Sequence, residues 1–288
     1  MIKTGKISEV KENVRKWKKA GLSIGLVPTM GYLHEGHASL IKKAREENDK
    51  VIVSDFVNPI QFGPKEDLGT YPRDFEADCK LCEGIGADLI FHPEPSEMYE
   101  GDFHSYVGVN TLSEGLCGKT RPIHFNGVCT VVTKLFNITE ADRAYFGQKD
   151  AQQLAIVRRM VRDLNYNITI VGCPIIREED GLAKSSRNTY LKPDEREKAT
   201  ILHKALSEGE RMVRDGETDA NKVVKVVRDI IESEPLAKVD YVEIVDWNEL
   251  QKVEKIDGPI LMAVAVYIGK VRLIDNFIVE NSMVIEMV

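Results

Sequence analysis

Short apolar strands and amphipathic helices alternate along the first 180 or so residues, and this alternation constrains the fold more than any other feature. A strand over Leu22–Pro28 is followed by helical spacing over His37–Asn48, a strand over Val51–Val57 and a helix over Phe75–Gly84. Further segments follow at Leu89–His92, Val128–Asn137, Ala144–Phe146, Gln152–Leu164 and Ile168–Val171. Strand–helix–strand units of this kind cross over right-handed and build a parallel sheet covered on both faces. We therefore predict an α/β, Rossmann-like domain over residues 1–180.

After Gly181 the pattern changes, and 288 residues exceed one typical domain. Long charged helices are predicted over Pro193–Arg214 and Thr218–Glu234. Strand-like stretches follow at Tyr241–Val245, Ile260–Ile268 and Val271–Phe277. We predict a smaller C-terminal α+β domain over residues 181–288.

Composition excludes several classes of protein. Acidic residues outnumber basic ones, 46 to 39, which argues against a nucleic-acid partner because phosphate binding needs a clustered basic excess. The longest apolar run, Ile260–Ile268, is too short to cross a bilayer. Val10, Val14 and Trp17 recur at helical spacing, which favours a surface helix over a targeting peptide. Five cysteines are few for this length, so a reducing cytoplasm is expected.

The segment Pro28–His37, PTMGYLHEGH, is the richest in chemistry. It lies between the first strand and a helix, whose N-terminal N–H groups favour phosphate. His34 and His37 can both donate to such a phosphate, and Gly31 and Gly36 let a nucleotide approach the backbone. A zinc site of the H-E-x-x-H type requires histidines four apart, whereas these are three apart. Two surface histidines in a helix cap remain the alternative.

Two other motifs are weaker. Ser113–Thr120 is nearly a P-loop, but serine stands where the first glycine is required, and Arg121-Pro122 interrupts the helix that should follow. Cys79 and Cys82 have the C-x-x-C spacing, but no second pair stands at zinc spacing. We assign neither motif a function, and no metal ligand is assigned to the protein.

Lys184-Ser185-Ser186-Arg187 lies at the predicted domain junction. Two hydroxyls and a guanidinium in a row can clamp a phosphate, because arginine binds two oxygens at once. A polar hinge loop without catalytic function is the alternative. A clamp in this place implies closure of the C-terminal domain on a nucleotide, which would exclude water.

His-x-Gly-His after a first strand resembles the HIGH signature of class I nucleotidyl transferases, and the longer string PTMGYLHEGH resembles the pantoate–β-alanine ligase family. Six further motifs agree in order and spacing: FVNPIQF at 56–62, Tyr71-Pro72-Arg73, HFNGV at 124–128, FGQKDAQQL at 146–154, DGLAKSSRN at 180–188 and RLIDN at 272–276. The resemblance covers nearly the whole chain.

The resemblance implies an ATP-dependent, AMP-forming condensation of pantoate with β-alanine, through a pantoyl adenylate and with release of pyrophosphate. It also implies Mg²⁺ with the ATP and a homodimer. A plain nucleotidyl transferase would share the HIGH and clamp motifs but leaves FVNPIQF unexplained, and a silent nucleotide-binding module also stays open. The implied catalytic residues are His34, His37 and Lys149. The implied ATP contacts are Met30, Gly31, His34, Gly36, His37, Gly147, Gln148, Lys149, Asp150, Ile176, Lys184, Ser185, Ser186 and Arg187. The implied substrate contacts for pantoate and β-alanine are Gln61, Gln153 and Asn58.

The chain departs from the family pattern at three positions. Gln148 stands where glutamate is common, Cys117 where the family has glutamate, and Ile123 where glycine is usual. The role of the missing glutamate and the fit around Ile123 are therefore in doubt.

Overall fold

Six parallel strands form the larger sheet of the structure, a computed structural model that describes residues 1–64 and 66–280. The strands lie in the order β1-β4-β3-β2-β5-β6. Their bounds are β1 Ile2–Thr4, β2 Ile24–Thr29, β3 Lys50–Asp55, β4 Leu89–Phe91, β5 Arg143–Gly147 and β6 Thr169–Cys173. The predicted fold class is confirmed, and β1 is an edge strand that the sequence did not predict.

Helices join these strands and bury apolar side chains against the sheet. The first, α1, buries Val10 and Val14 as the sequence predicts. Helix α2 buries Leu40 and Ile41, which belong to the same core as Val51 of β3. The helices of this region are α1 Ile7–Lys19, α2 Glu35–Glu47, α3 Phe75–Ile85, α4 Pro95–Met98, α5 Leu116–Thr120, α6 His124–Thr139 and α7 Ala151–Asp163.

The C-terminal region folds as an antiparallel sheet of three strands with helices packed on it. The strands are β7 Ala237–Asp246, β8 Ile260–Ile268 and β9 Val271–Val279. The helices are α8 Pro193–Lys198, α9 Ile201–Arg214 and α10 Ala220–Glu232. Leu202, Val223 and Val264 share one buried core, which joins α9, α10 and β8.

The single helix predicted over Pro193–Arg214 is wrong, because α8 ends at Lys198 and α9 begins at Ile201. The hydroxyl of Thr200 donates to the main-chain oxygen of Glu197 at 2.8 Å. Thr130 and Thr139 make comparable contacts inside the unbroken α6, so this hydroxyl accompanies the break without explaining it.

The chain divides into two compact units that are not continuous in sequence. Unit 1 comprises Met1–Asn110, Arg121–Gln148 and Ile156–Ile176. Unit 2 comprises Thr111–Thr120, Lys149–Ala155 and the chain from Arg177 onward. The predicted domain boundary at residues 180 and 181 stays a prediction. Among the described residues, no helix combines the length and apolar character that a bilayer crossing requires.

Candidate active site

The direction of strand order reverses between β2 and β5 of unit 1. Strand β3 pairs with one side of β2, and β5 pairs with the other. In parallel sheets, ligands bind at the carboxyl ends of the strands beside such a reversal. The segments that leave these ends are residues 30–34 after β2, residues 56–61 after β3 and Gln148 after β5. They carry most of the unit 1 residues that the sequence assigns to the site.

His34 and His37 form a reciprocal cap at the start of α2. The Gly36 N–H donates to Nδ1 of His34 at 3.1 Å, and the His34 N–H donates to Nδ1 of His37 at 3.3 Å. The two rings lie 4.1 Å apart, centroid to centroid. A neutral imidazole whose Nδ1 accepts a hydrogen bond carries its proton on Nε2. The cap therefore makes both Nε2 atoms donors, at a helix N-terminus that favours anions.

Gln61 is held by several neighbours at the end of the segment that follows β3. Its side chain is buried, its Nε2 donates to the sulfur of Met30 at 3.2 Å, and its Oε1 accepts from Nδ2 of Asn58 at 2.9 Å. Asn58 Nδ2 also donates to the main-chain oxygen of Gly127, and Asn58 Oδ1 accepts from the Tyr99 hydroxyl at 2.7 Å. Asn58 is only 1% exposed. These contacts show Asn58 orienting Gln61, and its direct contact with substrate stays a prediction.

Gly127 of α6 allows the turn that carries Gln61 to lie against the helix. A Cβ at this position would lie 2.5 Å from Gln61 Cα and 2.6 Å from the main-chain oxygen of Ile60. We expect Gly127→Ala to lower the free energy of unfolding by about 1–3 kcal/mol, because the turn has to shift. The resemblance assigns Gln61 to the acid substrate, so we also expect a higher KM for that substrate when Gln61 moves. Urea denaturation and steady-state kinetics measure the two effects.

Gly84→Ala is the matched control for this substitution. Gly84 also lies in a helix, α3, but a Cβ there meets nothing within 4 Å. An alanine there is expected to raise stability, by up to about 1 kcal/mol, since glycine weakens helices. If the two substitutions change the free energy of unfolding equally, the close contact of Gly127 with the turn does not limit stability.

Lys149 opens the segment of unit 2 that leads into α7. Its main-chain oxygen accepts from Nδ2 of Asn276 on β9 at 2.9 Å, and Asn276 is buried. Its ammonium lies 3.8 Å from Oδ1 of Asp150. The motif RLIDN therefore has a structural task, because its asparagine fixes the backbone from which the Lys149 side chain extends.

Gln152 connects α7 to the segment Thr111–Thr120 of unit 2. Its Oε1 accepts from the N–H of Cys117 at 3.0 Å, and its Nε2 donates to the main-chain oxygens of Leu112 and Gly115, both at 2.9 Å. The side chain is buried. Gln153, the next residue, is only partly buried. The adjacent amides therefore differ in environment, because Gln152 holds the start of α7 to this segment and Gln153 is partly exposed.

The segment Lys184–Arg187 is supported by contacts on both sides. Just before it, Arg177 forms an antiparallel bridge with Ala183 and donates to the main-chain oxygen of Gly181, while its guanidinium binds the buried Asp275 of β9 through two hydrogen bonds of 2.7 and 3.0 Å. Asn188 Nδ2 donates to the main-chain oxygen of Ala183 at 3.0 Å. The Arg187 N–H donates to the hydroxyl of Ser185 at 3.3 Å, which caps the turn over Ser186–Tyr190. These contacts fix the backbone of the predicted clamp.

Cys117 lies against polar side chains. Its sulfur lies 3.2 Å from the Tyr241 hydroxyl and 3.7 Å from Nη2 of Arg272. Arg272 in turn binds Asp240 through two hydrogen bonds of 3.0 and 2.7 Å. The guanidinium thus keeps a carboxylate partner although Cys117 replaces the usual glutamate. Ile123 is 46% exposed, so its larger side chain does not crowd the interior of unit 1.

The structure divides the predicted site residues between the two units. Those in unit 1 are Met30, Gly31, His34, Gly36, His37, Asn58, Gln61, Gly147, Gln148 and Ile176. Those in unit 2 are Lys149, Asp150, Gln153, Lys184, Ser185, Ser186 and Arg187. The sequence reasoning missed the supporting roles of Gln152, Asp275 and Asn276. The RLIDN motif was the available signal for the last two. Within the described residues, no group of three or more His, Cys, Asp or Glu side chains is arranged to hold a metal ion.

A parallel sheet in which the helix between β2 and β3 is capped by His-x-Gly-His is typical of the nucleotide-activating enzymes of the HIGH class. The sequence profile of the family described as Pantoate-beta-alanine ligase matches residues 3–278. The chain therefore belongs to the pantoate–β-alanine ligase family. It is 64% identical over 271 residues to the pantothenate synthetase of Clostridium botulinum (strain Loch Maree / Type A3), covering 94% of this chain and 96% of the relative.

Solved structures agree with this assignment. Pantothenate synthetase from Thermus thermophilus has a TM-score of 0.90 and 42% identity, covering 96% of this chain and 99% of that one. The pantoate-beta-alanine ligase from Francisella tularensis, complexed with beta-gamma ATP and beta-alanine, has a TM-score of 0.79 and 35% identity, covering 96% and 97%. The predicted family and ligase activity are confirmed.

Proposed function

We propose that the chain forms pantothenate in two steps. The carboxylate of pantoate attacks the α-phosphorus of Mg-ATP, which gives pantoyl adenylate and releases pyrophosphate. The amine of β-alanine then attacks the acyl carbon, AMP leaves, and the amine loses a proton. The observation that carries the proposal is the reciprocal cap of His34 and His37, which makes both Nε2 atoms donors at a helix N-terminus beside the strand-order reversal.

The first step needs positioning and charge stabilisation more than covalent help from the protein. We assign the two histidine Nε2–H groups and the Lys149 ammonium to the phosphates, where they offset charge that moves onto pyrophosphate. Ser185, Ser186 and Arg187 are assigned to the same triphosphate, and a guanidinium can bind two of its oxygens. Mg²⁺ belongs to this proposal as part of the substrate, Mg-ATP. Closure of the C-terminal domain on ATP stays a prediction.

Pantoate offers a carboxylate and hydroxyls, which an amide can match with its donor and its acceptor. We assign Gln61 and Gln153 to it. The support for Gln61 is its fixed orientation, since its amide is held by Met30 and Asn58. The support for Gln153 is its place beside Gln152, which anchors the start of α7. The adenosine contacts of Met30, Gly147, Asp150 and Ile176 rest on the resemblance.

Cytoplasmic location and a homodimer complete the proposal. All five cysteines are free thiols in the structure, which accords with a reducing compartment. The homodimer rests on the resemblance.

Mass spectrometry of a reaction of Mg-ATP and pantoate, run with and without β-alanine, tests the proposed route. We expect pantothenate and AMP to form only in the complete mixture, and a small amount of enzyme-bound pantoyl adenylate to form without β-alanine. Pantothenate formed with release of ADP and phosphate would exclude the adenylate route, because that route releases AMP and pyrophosphate.

A further inference from the structure

The loop that leads into α2 has an unusual backbone. Gly31 has φ = 77° and Tyr32 has φ = 53°, so two successive residues are left-handed. The left-handed region is uncommon for a residue with a side chain, such as tyrosine. His34, the cap of α2, lies two residues further on. The conformation of this loop therefore sets where both histidine rings point.

One carboxylate holds the loop in this conformation. The N–H of Tyr32 donates to Oδ2 of Asp78, and the N–H of Leu33 donates to Oδ1, both at 2.7 Å. Successive N–H groups of this kind form a concave site that favours an anion. Asp78 belongs to α3, far from the loop in sequence, and is only 2% exposed.

The surroundings of Asp78 make its charge costly. Burial raises the pKa of Asp78 to about 6, although the two N–H bonds lower it, and the nearby Asp55 carboxylate raises it further. A Cβ at Gly31 would clash with Oδ1 of Asp55 and would lie 3.2 Å from Oδ2 of Asp78, so both carboxylates lie directly against the loop. Oδ2 of Asp55 makes no hydrogen bond within the described residues but lies 3.4 Å from Nδ1 of His92.

A cavity of about 330 Å³ adjoins these groups, and its lining includes Gly31, Tyr32, Asp55, Asp78 and His92. A neutral side chain could fill the position of Asp78 without the cost of a buried charge. A buried charge and a left-handed tyrosine next to the histidine cap of α2 therefore indicate that function, and not stability, keeps Asp78 at this position.

We propose that Asp78 is a positioning residue for adenylate formation: its carboxylate holds residues 31–33 so that His34 and His37 present their Nε2–H groups to the triphosphate. This inference rests on the proposed role of the two histidines. Asp78 is assigned no contact with substrate. It acts through the backbone of the loop.

Asp78→Asn tests the inference, with Asp74→Asn as the matched control. Both substitutions remove one negative charge from the N-terminal part of α3, but Asp74 is the exposed cap of that helix, and asparagine caps equally well. We expect Asp78→Asn to lower kcat for pyrophosphate release by about 10²-fold, the cost of a misplaced catalytic group. The KM for pantoate should change less than twofold. Asp74→Asn should keep kcat within twofold.

Thermal unfolding separates positioning from a structural role. Since the folded-state pKa of Asp78 is raised, its ionised form opposes folding above about pH 6. The neutral variant escapes this cost, but its Nδ2 is a donor that faces one of the two backbone N–H groups, so its unfolding midpoint at pH 7.5 should lie within about 5 °C of that of the original chain. A large fall in the midpoint together with a proportionate loss at every kinetic step would show a structural role and overturn the inference.

The pH dependence of kcat provides a second readout. The titratable groups that face Asp78 are Asp55 from β3, and Asp74, Cys79 and Cys82 from its own helix and the residue before it. His92 lies against Asp55. Protonation of Asp78 weakens both N–H bonds, so kcat of the original chain should fall below about pH 6. In Asp78→Asn, the decrease of kcat that is due to protonation of Asp78 should be absent. If the pH profiles of kcat for the variant and the original chain superimpose after scaling, the inference is wrong.

Amide hydrogen exchange tests the same contact in the unaltered chain, should the variant fail to fold. We expect the protection factors of the Tyr32 and Leu33 amides to fall at least tenfold between pH 7.5 and pH 5. Unchanged protection factors would overturn the inference.

The variant His37→Asn distinguishes a failure of this inference from a failure of the proposed function. If His37→Asn retains full activity, the proposed role of the histidines is wrong. If His37→Asn loses activity while Asp78→Asn is fully active, only the proposed role of Asp78 is wrong.

Discussion

Lys149→Met is expected to slow pyrophosphate release by about 10²–10³-fold, the usual cost of removing one preorganised charged donor from a transition state. Methionine keeps most of the length and apolar character of the lysine side chain but removes its ammonium. The fold should persist, because the contact that holds this residue is made by its main-chain oxygen to Asn276. Single-turnover release of pyrophosphate from ATP and pantoate measures the effect, and circular dichroism checks the fold.

Lys119→Met is the matched control. Lys119 is an exposed lysine of unit 2, and it would be the phosphate-binding lysine if Ser113–Thr120 were a P-loop. We expect its replacement to leave pyrophosphate release within twofold. If Lys119→Met slows pyrophosphate release and Lys149→Met does not, the phosphate-binding lysine is Lys119, and the P-loop interpretation of Ser113–Thr120 is correct.

His34→Asn is expected to lower kcat/KM for ATP by about 10²-fold, because it removes one Nε2–H donor from the phosphates. Asparagine is among the strongest N-cap residues, so the α2 cap that Nδ1 of His34 now provides to Gly36 is retained. The free energy of unfolding should therefore change by less than about 0.5 kcal/mol. Steady-state kinetics and urea denaturation together separate the two functions of this ring.

His104→Asn is the corresponding control, since His104 is exposed and lies outside the proposed site. It should leave both measurements unchanged. If His34→Asn instead destabilised the chain while kcat/KM for ATP held, the histidine would be a helix cap and no more, which is the alternative that the sequence left open.

The features that the sequence predicted well depend on local periodicity. Strand β8 occupies Ile260–Ile268, the range read from its apolar run, and the predicted start of β9 is also matched. Strand β1 was missed because Ile2–Thr4 is too short to show a period. The break between α8 and α9 was missed because Ala199 and Thr200, which separate the two helices, include no glycine or proline that would mark a helix end.

Contacts between distant residues could not be predicted in this way. Asp78 meets the loop before His34 across 46 residues, and Asn276 meets Lys149 across 127. Sequence spacing gives no information on such pairs, because the path of the whole chain brings them together. Gln152 and Gln153 show the same limit at short range: they are identical in type, and only the packing of α7 decides which amide is buried.

The discontinuity of the two units restricts how this chain could exchange parts with its relatives. From Met1 to Arg177 the backbone passes between unit 1 and unit 2 five times. A single recombination point after residue 176 would transfer β7–β9 but leave behind Lys149–Ala155, including the lysine backbone that Asn276 holds. A hybrid made in this way would combine an asparagine and a lysine of different ancestry. Useful chimaeras of this family would therefore exchange residues 111–120 and 149–155 together with the chain that follows residue 176, so that all contacts within unit 2 come from one parent.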